Sequence, residues 1–282
     1  MGIALQPTTS AGREGLAAVL ADPAAAVVAL DFDGTLAPIV ADPERAFAHP
    51  GAAAALARLA PLVGTVAVVT GRPVRSAVRL GGFDSVPGLA PLVVLGHYGA
   101  ERWERGELTA PEVHPGVAAV RAELPALLAG LAVPEGTSVE DKERSIAVHT
   151  RRAADPQAVL EQLRDPLAEL AAAHGLAVEP GRFVLELRPP GVDKGAALTA
   201  LLRERGASSV LYAGDDLGDL AAYAAVERLR ARSLRGLLVA SGLVTGEPPV
   251  REIAERADLV VPGPAGVVEL LEWLGQALSS AS

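Results

Sequence analysis

Two aspartates separated by one phenylalanine, in AAAVVALDFDGTLAPI at residues 24–39, are residues whose types and spacing could do chemistry. Strand geometry carried through Asp31 and Asp33 would aim both carboxylates the same way while Phe32 turns back into a core. Left alone, two such carboxylates repel and one has its pKa raised. A divalent, oxygen-seeking cation relieves that repulsion. A third carboxylate, from Asp215 in YAGDDLGD at 212–219, would complete a hard site of the kind Mg2+ favours. Gly34 lets the backbone curl around an anion, with nearby amides as donors. Lys194, in DKG at 193–195, opens an expected helix, where its charge opposes the macrodipole; an anion lying between them would explain the placement.

Positioning these groups falls to a set of short apolar runs: AAVVAL before Asp31, TVAVVTGR at 65–72, LVVLGHYG at 92–99, SVLYAGDD at 209–216, GLLVASG at 236–242 and DLVVPG at 258–263. Each is continuous rather than alternating, which suits strands buried on both faces of a parallel sheet. Helical patterns at 51–61, 73–80, 193–205, 218–230 and 265–278 lie between them. That alternation predicts an α/β fold, a doubly wound, Rossmann-like parallel sheet. In such a sheet the ligand crevice lies beyond the carboxyl ends of the strands. DFDGT, TGR, GHYG and GDDLGD would all gather there.

Residues 113–190 read differently. The segment opens on PEVHPG and closes on RPPGVDKG, breakers of the kind that mark domain hinges. Inside it the pattern predicts a helix at 116–131, a hairpin at 137–151, a helix at 156–174 capped by Asp155 with Pro156 at its first position, and a second hairpin turning at 179–182. In RFVLELR, Phe183, Leu185 and Leu187 take one face and Val184, Glu186 and Arg188 the other, so this sheet should have one dry face and one polar face. The order αββαββ predicts an inserted α+β domain over 113–190, with the parallel-sheet core formed by 1–112 and 191–282.

DFDGTL, VVTGR, DKG and GDDLGD, in this order, resemble the four motifs of the haloacid dehalogenase superfamily of phosphohydrolases. The resemblance implies Asp31 as nucleophile on phosphorus, forming an aspartyl-phosphate, and Asp33 as general acid and then base. Thr70 and Lys194 would hold the phosphoryl oxygens, joined at the phosphate by Gly34, Thr35, Gly71 and Arg72. Asp31, Asp33 and Asp215 would hold Mg2+, with Asp216 and Asp219 either supporting the metal or simply capping the helix that follows. Magnesium and Lys194 together would offset the repulsion between a carboxylate and a phosphate dianion. Crowding by other carboxylates would favour the protonated Asp33 needed to expel an alkoxide.

LGHYGAERW (95–103), VEDKERSIAVHTR (139–151), FVLELRPPGVDKG (183–195) and YAGDDLGD carry a closer resemblance, to the trehalose-6-phosphate phosphatase family, across nearly the whole chain. It implies a sheet-bearing cap whose Glu140, Lys142 and Glu186 grip the distal sugar, with Arg151, Arg188, His97 and Tyr98 as further substrate contacts. Closure of that cap would assemble the site. The alternative for Glu140, Lys142, Glu186 and Arg188 is that they form ordinary surface ion pairs. His97-Tyr98-Gly99 stands where that family has Asn-His-Gly, Gly218 where it has Thr, and Thr150 where it has an aromatic residue. The substrate expected is a small sugar phosphate. Alternatives are another substrate, such as sucrose phosphate or mannosylglycerate phosphate, a sugar phosphotransferase, or an inactive regulatory binding module.

A formal net charge of -9 argues against nucleic-acid or anionic-membrane partners, because both need concentrated Lys and Arg. The absence of cysteine excludes disulfides, zinc thiolates and cysteine nucleophiles. No basic-then-apolar leader opens MGIALQPTTS, Gln6 occupies the place where a myristoylation signal needs Ser or Thr, and no apolar stretch is long enough to span a bilayer. A cytoplasmic protein is the expectation, with its oligomeric state open and a monomer slightly favoured. His49, His114 and His174 read as surface or capping residues.

Overall fold

The computed structural model describes residues 6–40, 42–181, 183–232, 234–242 and 250–281, and divides the chain into two units, Met1–Ala110 with Asp193–Ser282, and Pro111–Val192. The first opens on α1 (Ser10–Ala21), whose N-cap Thr9 accepts from the Gly12 N–H at 2.9 Å. No periodic apolar pattern announces this Ala- and Gly-rich helix. Then β1 (Ala26–Leu30), α2 (Ala52–Leu59), β2 (Thr65–Val69), α3 (Val74–Gly81) and β3 (Val93–Gly96) alternate, followed by a hairpin of β4 (Glu101–Glu104) and β5 (Glu107–Thr109).

Within the second unit lie α4 (Pro115–Gly130), β6 (Ser138–Asp141), β7 (Ile146–His149), α5 (Pro156–Ala173), β8 (Ala177–Gly181) and β9 (Val184–Arg188). The chain returns to the first unit through α6 (Lys194–Glu204), β10 (Ser209–Gly214), α7 (Leu220–Arg230), β11 (Arg235–Gly242), α8 (Arg251–Arg256), β12 (Leu259–Pro262) and α9 (Gly263–Ala281).

The first unit's sheet runs β12-β11-β10-β1-β2-β3-β4-β5, parallel from β12 to β3 and antiparallel at β4 and β5. Strands β1, β2, β3, β10 and β11 are continuous apolar runs because both faces are covered, whereas β12, expected to be buried on both faces, leaves Val260 exposed. Val28 and Leu30 pack into a cluster with α2 and α9, whereas Val27 and Ala29 pack on the other side with α6 and α7. Each fully buried Val or Leu contributes about 1.5–3 kcal/mol, so no position of β1 tolerates a charge. Asp31 therefore marks the first place where the chain can leave the sheet. The chain proceeds from β1 to β2 on one side, while β10 lies on the other. The topological switch point, where such sheets open a crevice, falls between β1 and β10. The hairpin that extends the sheet was not anticipated, although Arg105 and Gly106, both at positive φ (54° and 83°), form the two-residue turn that matches strand twist.

The second unit is a four-stranded antiparallel sheet, β6-β7-β9-β8, backed by α4 and α5. Ile146, Val148, Leu185 and Leu187 face those helices. Glu140, Ala147, Glu186 and Glu179 form one cross-strand row on the other face. The alternation in RFVLELR thus does separate a dry face from a polar one. Among the described residues, no helix is long and apolar enough to cross a membrane.

Candidate active site

At the end of β1, the Asp31 N–H still donates to the Ala213 carbonyl at 2.9 Å, which ties its backbone to the last residues of β10. Its side chain is buried, and Lys194 Nζ lies 2.8 Å from Oδ1. The same ammonium donates to Asp219 Oδ1 at 2.8 Å. Lys194 is the first residue of α6, capped by Asp193, which accepts from the Ala196 N–H at 2.8 Å. Its unfavourable position against the helix dipole is offset by two carboxylates. Burial pulls the Lys194 pKa down, but Asp219 and Asp31 more than reverse that, leaving it well above an ordinary lysine.

Asp31, Asp215 and Asp219 each place a carboxylate oxygen within 4.8 Å of the others. Burial raises the Asp31 carboxyl well above its usual range, with Lys194 opposing and Asp219 and Asp216 adding to the rise. Burial also raises Asp215, reinforced by Asp216 and Asp31. Negative charge is in excess here. Asp219 has no room for a further ligand: Oδ1 accepts from Lys194 and, at 2.6 Å, from the Tyr212 hydroxyl, while Oδ2 accepts from the backbone N–H groups of Asp215 (2.9 Å) and Asp216 (3.2 Å). Those four bonds fill the lone-pair sites of a carboxylate. Asp31 and Asp215 are left as the hard oxygen donors that fit a divalent cation. Asp216 caps the short turn at 217–219, accepting from the Gly218 N–H at 2.8 Å.

Asp33 departs from the expected geometry. Both its oxygens accept from Arg72, Nε to Oδ2 at 2.7 Å and Nη2 to Oδ1 at 2.7 Å. The carboxylate does not join the acidic cluster of Asp31, Asp215 and Asp219. Parity along a strand fails because the strand stops at Leu30: the Phe32 carbonyl accepts from Leu36 and Ala37, both at 2.8 Å, and the chain turns. Phe32 does go inward, edge-on to Phe83 with ring centroids 6.2 Å apart, and the Arg72 guanidinium lies 5.6 Å from its ring centre. Arg72, expected at the phosphate, thus holds Asp33.

In the turn, Gly34 has φ 73°, and a Cβ there would lie 2.0 Å from Asp215 Oδ2, so only glycine fits. Thr35 is buried, with Oγ1 3.4 Å from Asp215 Oδ1. At the end of β2, Thr70 is buried, and its Oγ1 accepts from the Arg72 N–H at 3.1 Å. A Cβ on Gly71 would meet the Tyr98 ring at 2.7 Å. His97 and Tyr98 both have positive φ (46° and 58°), a conformation that costs energy in non-glycine residues. Their N–H groups donate to the carbonyls of Arg72 and Thr70, both at 2.9 Å, so the strained turn braces the TGR loop.

On the second unit's polar face, Lys142 Nζ donates to Glu186 Oε2 at 3.0 Å and Ser145 Oγ to Oε1 at 2.5 Å. Arg188 Nη2 lies 2.9 Å from Glu179 Oε2. Glu140 Oε2 lies 2.8 Å from His149 Nε2, a bond that holds the Glu140 carboxyl below its usual range. Arg151 is exposed in the turn beyond β7. Ser145 and His149 were missed by the sequence reading, though their parity with Ala147 on β7 places them on this face. Tyr212 was missed as well, hidden inside an apolar run. His114 caps α4, accepting from the Gly116 N–H at 3.1 Å, and His49 accepts from the Gly51 N–H at 3.2 Å in the turn ahead of α2. His174 Nε2 pairs with Glu123 at 3.1 Å.

A doubly wound sheet with an inserted antiparallel sheet and an acidic cluster at its switch point is the haloacid dehalogenase-type α/β fold. It aligns with a haloacid dehalogenase-like hydrolase from Bacteroides thetaiotaomicron at a TM-score of 0.61 and 18% identity, over 88% of this chain and 98% of that one. A fungal structure, the C-terminal domain of the Candida albicans trehalose-6-phosphate phosphatase, aligns at 0.74 and 19% identity, over 96% and 98%.

Residues 29–245 match the family model described as trehalose-phosphatase, and the chain belongs to that family. A probable trehalose-phosphate phosphatase of Sinorhizobium fredii is 32% identical over 228 residues, 79% of this chain and 82% of its relative. The trehalose-phosphate phosphatase of Mycobacterium tuberculosis is 36% identical over 70% of this chain, which spans only half of that longer protein.

Proposed function

We propose that this chain hydrolyses trehalose 6-phosphate to trehalose and phosphate through an aspartyl-phosphate on Asp31. The observation that carries the reading is the position of Asp31: buried at the end of β1, 2.8 Å from Lys194 Nζ and grouped with Asp215. An Asp31 oxygen attacks phosphorus as the bond from phosphorus to the sugar oxygen breaks. Asp33 gives its proton to the departing alkoxide and then takes one from the water that attacks the same phosphorus, regenerating Asp31. To do either, Asp33 must release one of the two bonds it makes with Arg72, so Arg72 aims the acid between turnovers. Lys194 stabilises charge on the transferring group. Asp31 and Asp215 would hold Mg2+, which when bound would neutralise anionic charge and polarise the phosphoryl oxygens.

Glu140, Lys142, Glu186 and Arg188 supply paired donors and acceptors suited to sugar hydroxyls. A pocket built that way rejects a poorly matched sugar because its buried polar groups are left unpaired. Phosphate release measured across trehalose 6-phosphate, sucrose phosphate, mannosylglycerate phosphate and glucose 6-phosphate, with magnesium or with chelator, tests the reading. Preference for trehalose 6-phosphate that vanishes with chelator is expected; equal rates on all four, or full turnover in chelator, would overturn it.

A further inference from the structure

Tyr212 lies in the interior of β10, fully buried, its Cα opposite Ala29 of β1 and Leu238 of β11. It sits in the apolar cluster shared with Leu198 of α6 and Tyr223 of α7, surroundings that a phenylalanine would fill equally well. A hydroxyl placed there is costly unless it is bonded. It donates to Asp219 Oδ1 at 2.6 Å, the same oxygen that accepts from Lys194 Nζ at 2.8 Å. Lys194 Nζ in turn lies 2.8 Å from Asp31 Oδ1. The ring is held edge-on against Tyr223, with centroids 6.0 Å apart, and the Tyr223 hydroxyl is anchored on the Val239 carbonyl at 2.8 Å.

We propose that Tyr212 is a positioning residue for phosphoryl transfer: through Asp219 it fixes the Lys194 ammonium against the nucleophile Asp31. Backbone donors from Asp215 and Asp216 secure one oxygen of Asp219. Tyr212 secures the other, which is the one that bears on Lys194. Without the hydroxyl, the Asp219 carboxylate can rotate about its remaining bonds and carry the ammonium with it. Lys194 itself has a flexible stem, so its precision must come from what it touches. Sugar recognition lies on residues of the second unit, so loss of the hydroxyl should lower kcat and spare KM.

The inference rests on the reading of Asp31 as nucleophile, and the test separates the two. Tyr212→Phe is expected to lower kcat on trehalose 6-phosphate by about tenfold to a hundredfold, the range for a residue that orients a reacting group. KM should hold within about twofold, because only transition-state contacts are lost. The melting temperature should stay close to that of the parent chain, and a small aryl phosphate should lose turnover by the same factor. Asp219→Asn should lose kcat at least as strongly, and adding Tyr212→Phe to it should cost nothing further, since the hydroxyl acts through that carboxylate. Normal kcat in Tyr212→Phe, or losses that multiply in the double variant, overturns the inference. A fall in melting temperature with kcat intact shows a purely structural role and does the same. Should Tyr212→Phe fold poorly, normal kcat in Asp219→Asn alone overturns it. Full turnover by Asp31→Ala would instead sink the underlying mechanism.

Discussion

Both units carry a cluster of acids and bases on a sheet, and the two clusters are balanced differently. In the first unit Asp31, Asp215, Asp216 and Asp219 crowd against Lys194, and burial raises the carboxyls of Asp31, Asp215 and Asp216. In the second, each acid has a basic partner: Glu186 has Lys142, Glu179 has Arg188 and Glu140 has His149. The surplus of negative charge in the first calls for a cation from outside. In the second unit each of these acids already has a basic neighbour, so no such surplus arises. The contrast is between a cluster with acidic charge in excess and one whose acids already have basic neighbours.

The largest test of that contrast is removal of the nucleophile. Asp31→Ala is expected to cut turnover by roughly 10⁴- to 10⁶-fold, as deletion of a covalent nucleophile does elsewhere. No single substitution on the polar face of the second unit should approach that figure in a steady-state phosphate-release assay. Next comes Asp33→Asn, which keeps the side chain's size but can accept only one of the two Arg72 bonds and cannot move a proton. Its turnover should fall by about 10²- to 10⁴-fold, with binding of inorganic phosphate preserved by calorimetry. Near-normal turnover would overturn Asp33 as the acid and base.

Stability sharpens the contrast further, because the two clusters should respond with opposite sign. Asp215 has a raised pKa in the folded chain, so its ionisation subtracts from stability once pH exceeds its unfolded value. Asp215→Asn should therefore raise the melting temperature of the metal-free chain, by about 2–4 °C for each kcal/mol recovered. It should also abolish the further rise on adding magnesium. Glu186→Gln leaves Lys142 facing a neutral amide, and should lower the midpoint by a similar few degrees. If both substitutions shift the midpoint the same way, the difference in charge balance is wrong.

Smallest is a pH effect. Glu140 has a pKa lowered by its bond to His149, so it contributes stability above the ordinary glutamate range that is lost as pH falls through the folded value. Half-exposed as the pair is, the contribution is a few tenths of a kcal/mol. Acid titrations of stability for the parent chain and Glu140→Gln should therefore nearly coincide at low pH and separate slightly toward neutrality.

Much of the chain was legible because burial writes itself into apolar patterns. Five of the six parallel strands follow from continuous Val, Leu and Ala runs, since only a sheet covered on both faces can absorb them; β12, at the sheet's edge, keeps Val260 exposed. Asp31 and Asp215 stood out because a charge ending such a run needs a reason, and Lys194 because it opens a helix against the dipole in a motif the resemblance supplied. Elements stabilised by local turns were harder. The β4–β5 hairpin depends on Arg105 and Gly106 adopting left-handed conformations, and α1 on a Thr9 cap and packing against β11. Neither leaves a strong period in the sequence.

The sequence by itself determined which residue types end each strand, and with them the stock of carboxylates, amides and cations at one sheet edge. Tertiary structure alone decided which of those groups meet. Asp33 turns to Arg72 because the strand has already ended, Asp219 is consumed by Lys194, Tyr212 and two amides, and Asp31 and Asp215 are left to share a cation. The physical reason is that composition and period follow from burial, which a single chain position feels on average. A hydrogen bond depends on tenths of an ångström and on direction, which only the packed neighbours set.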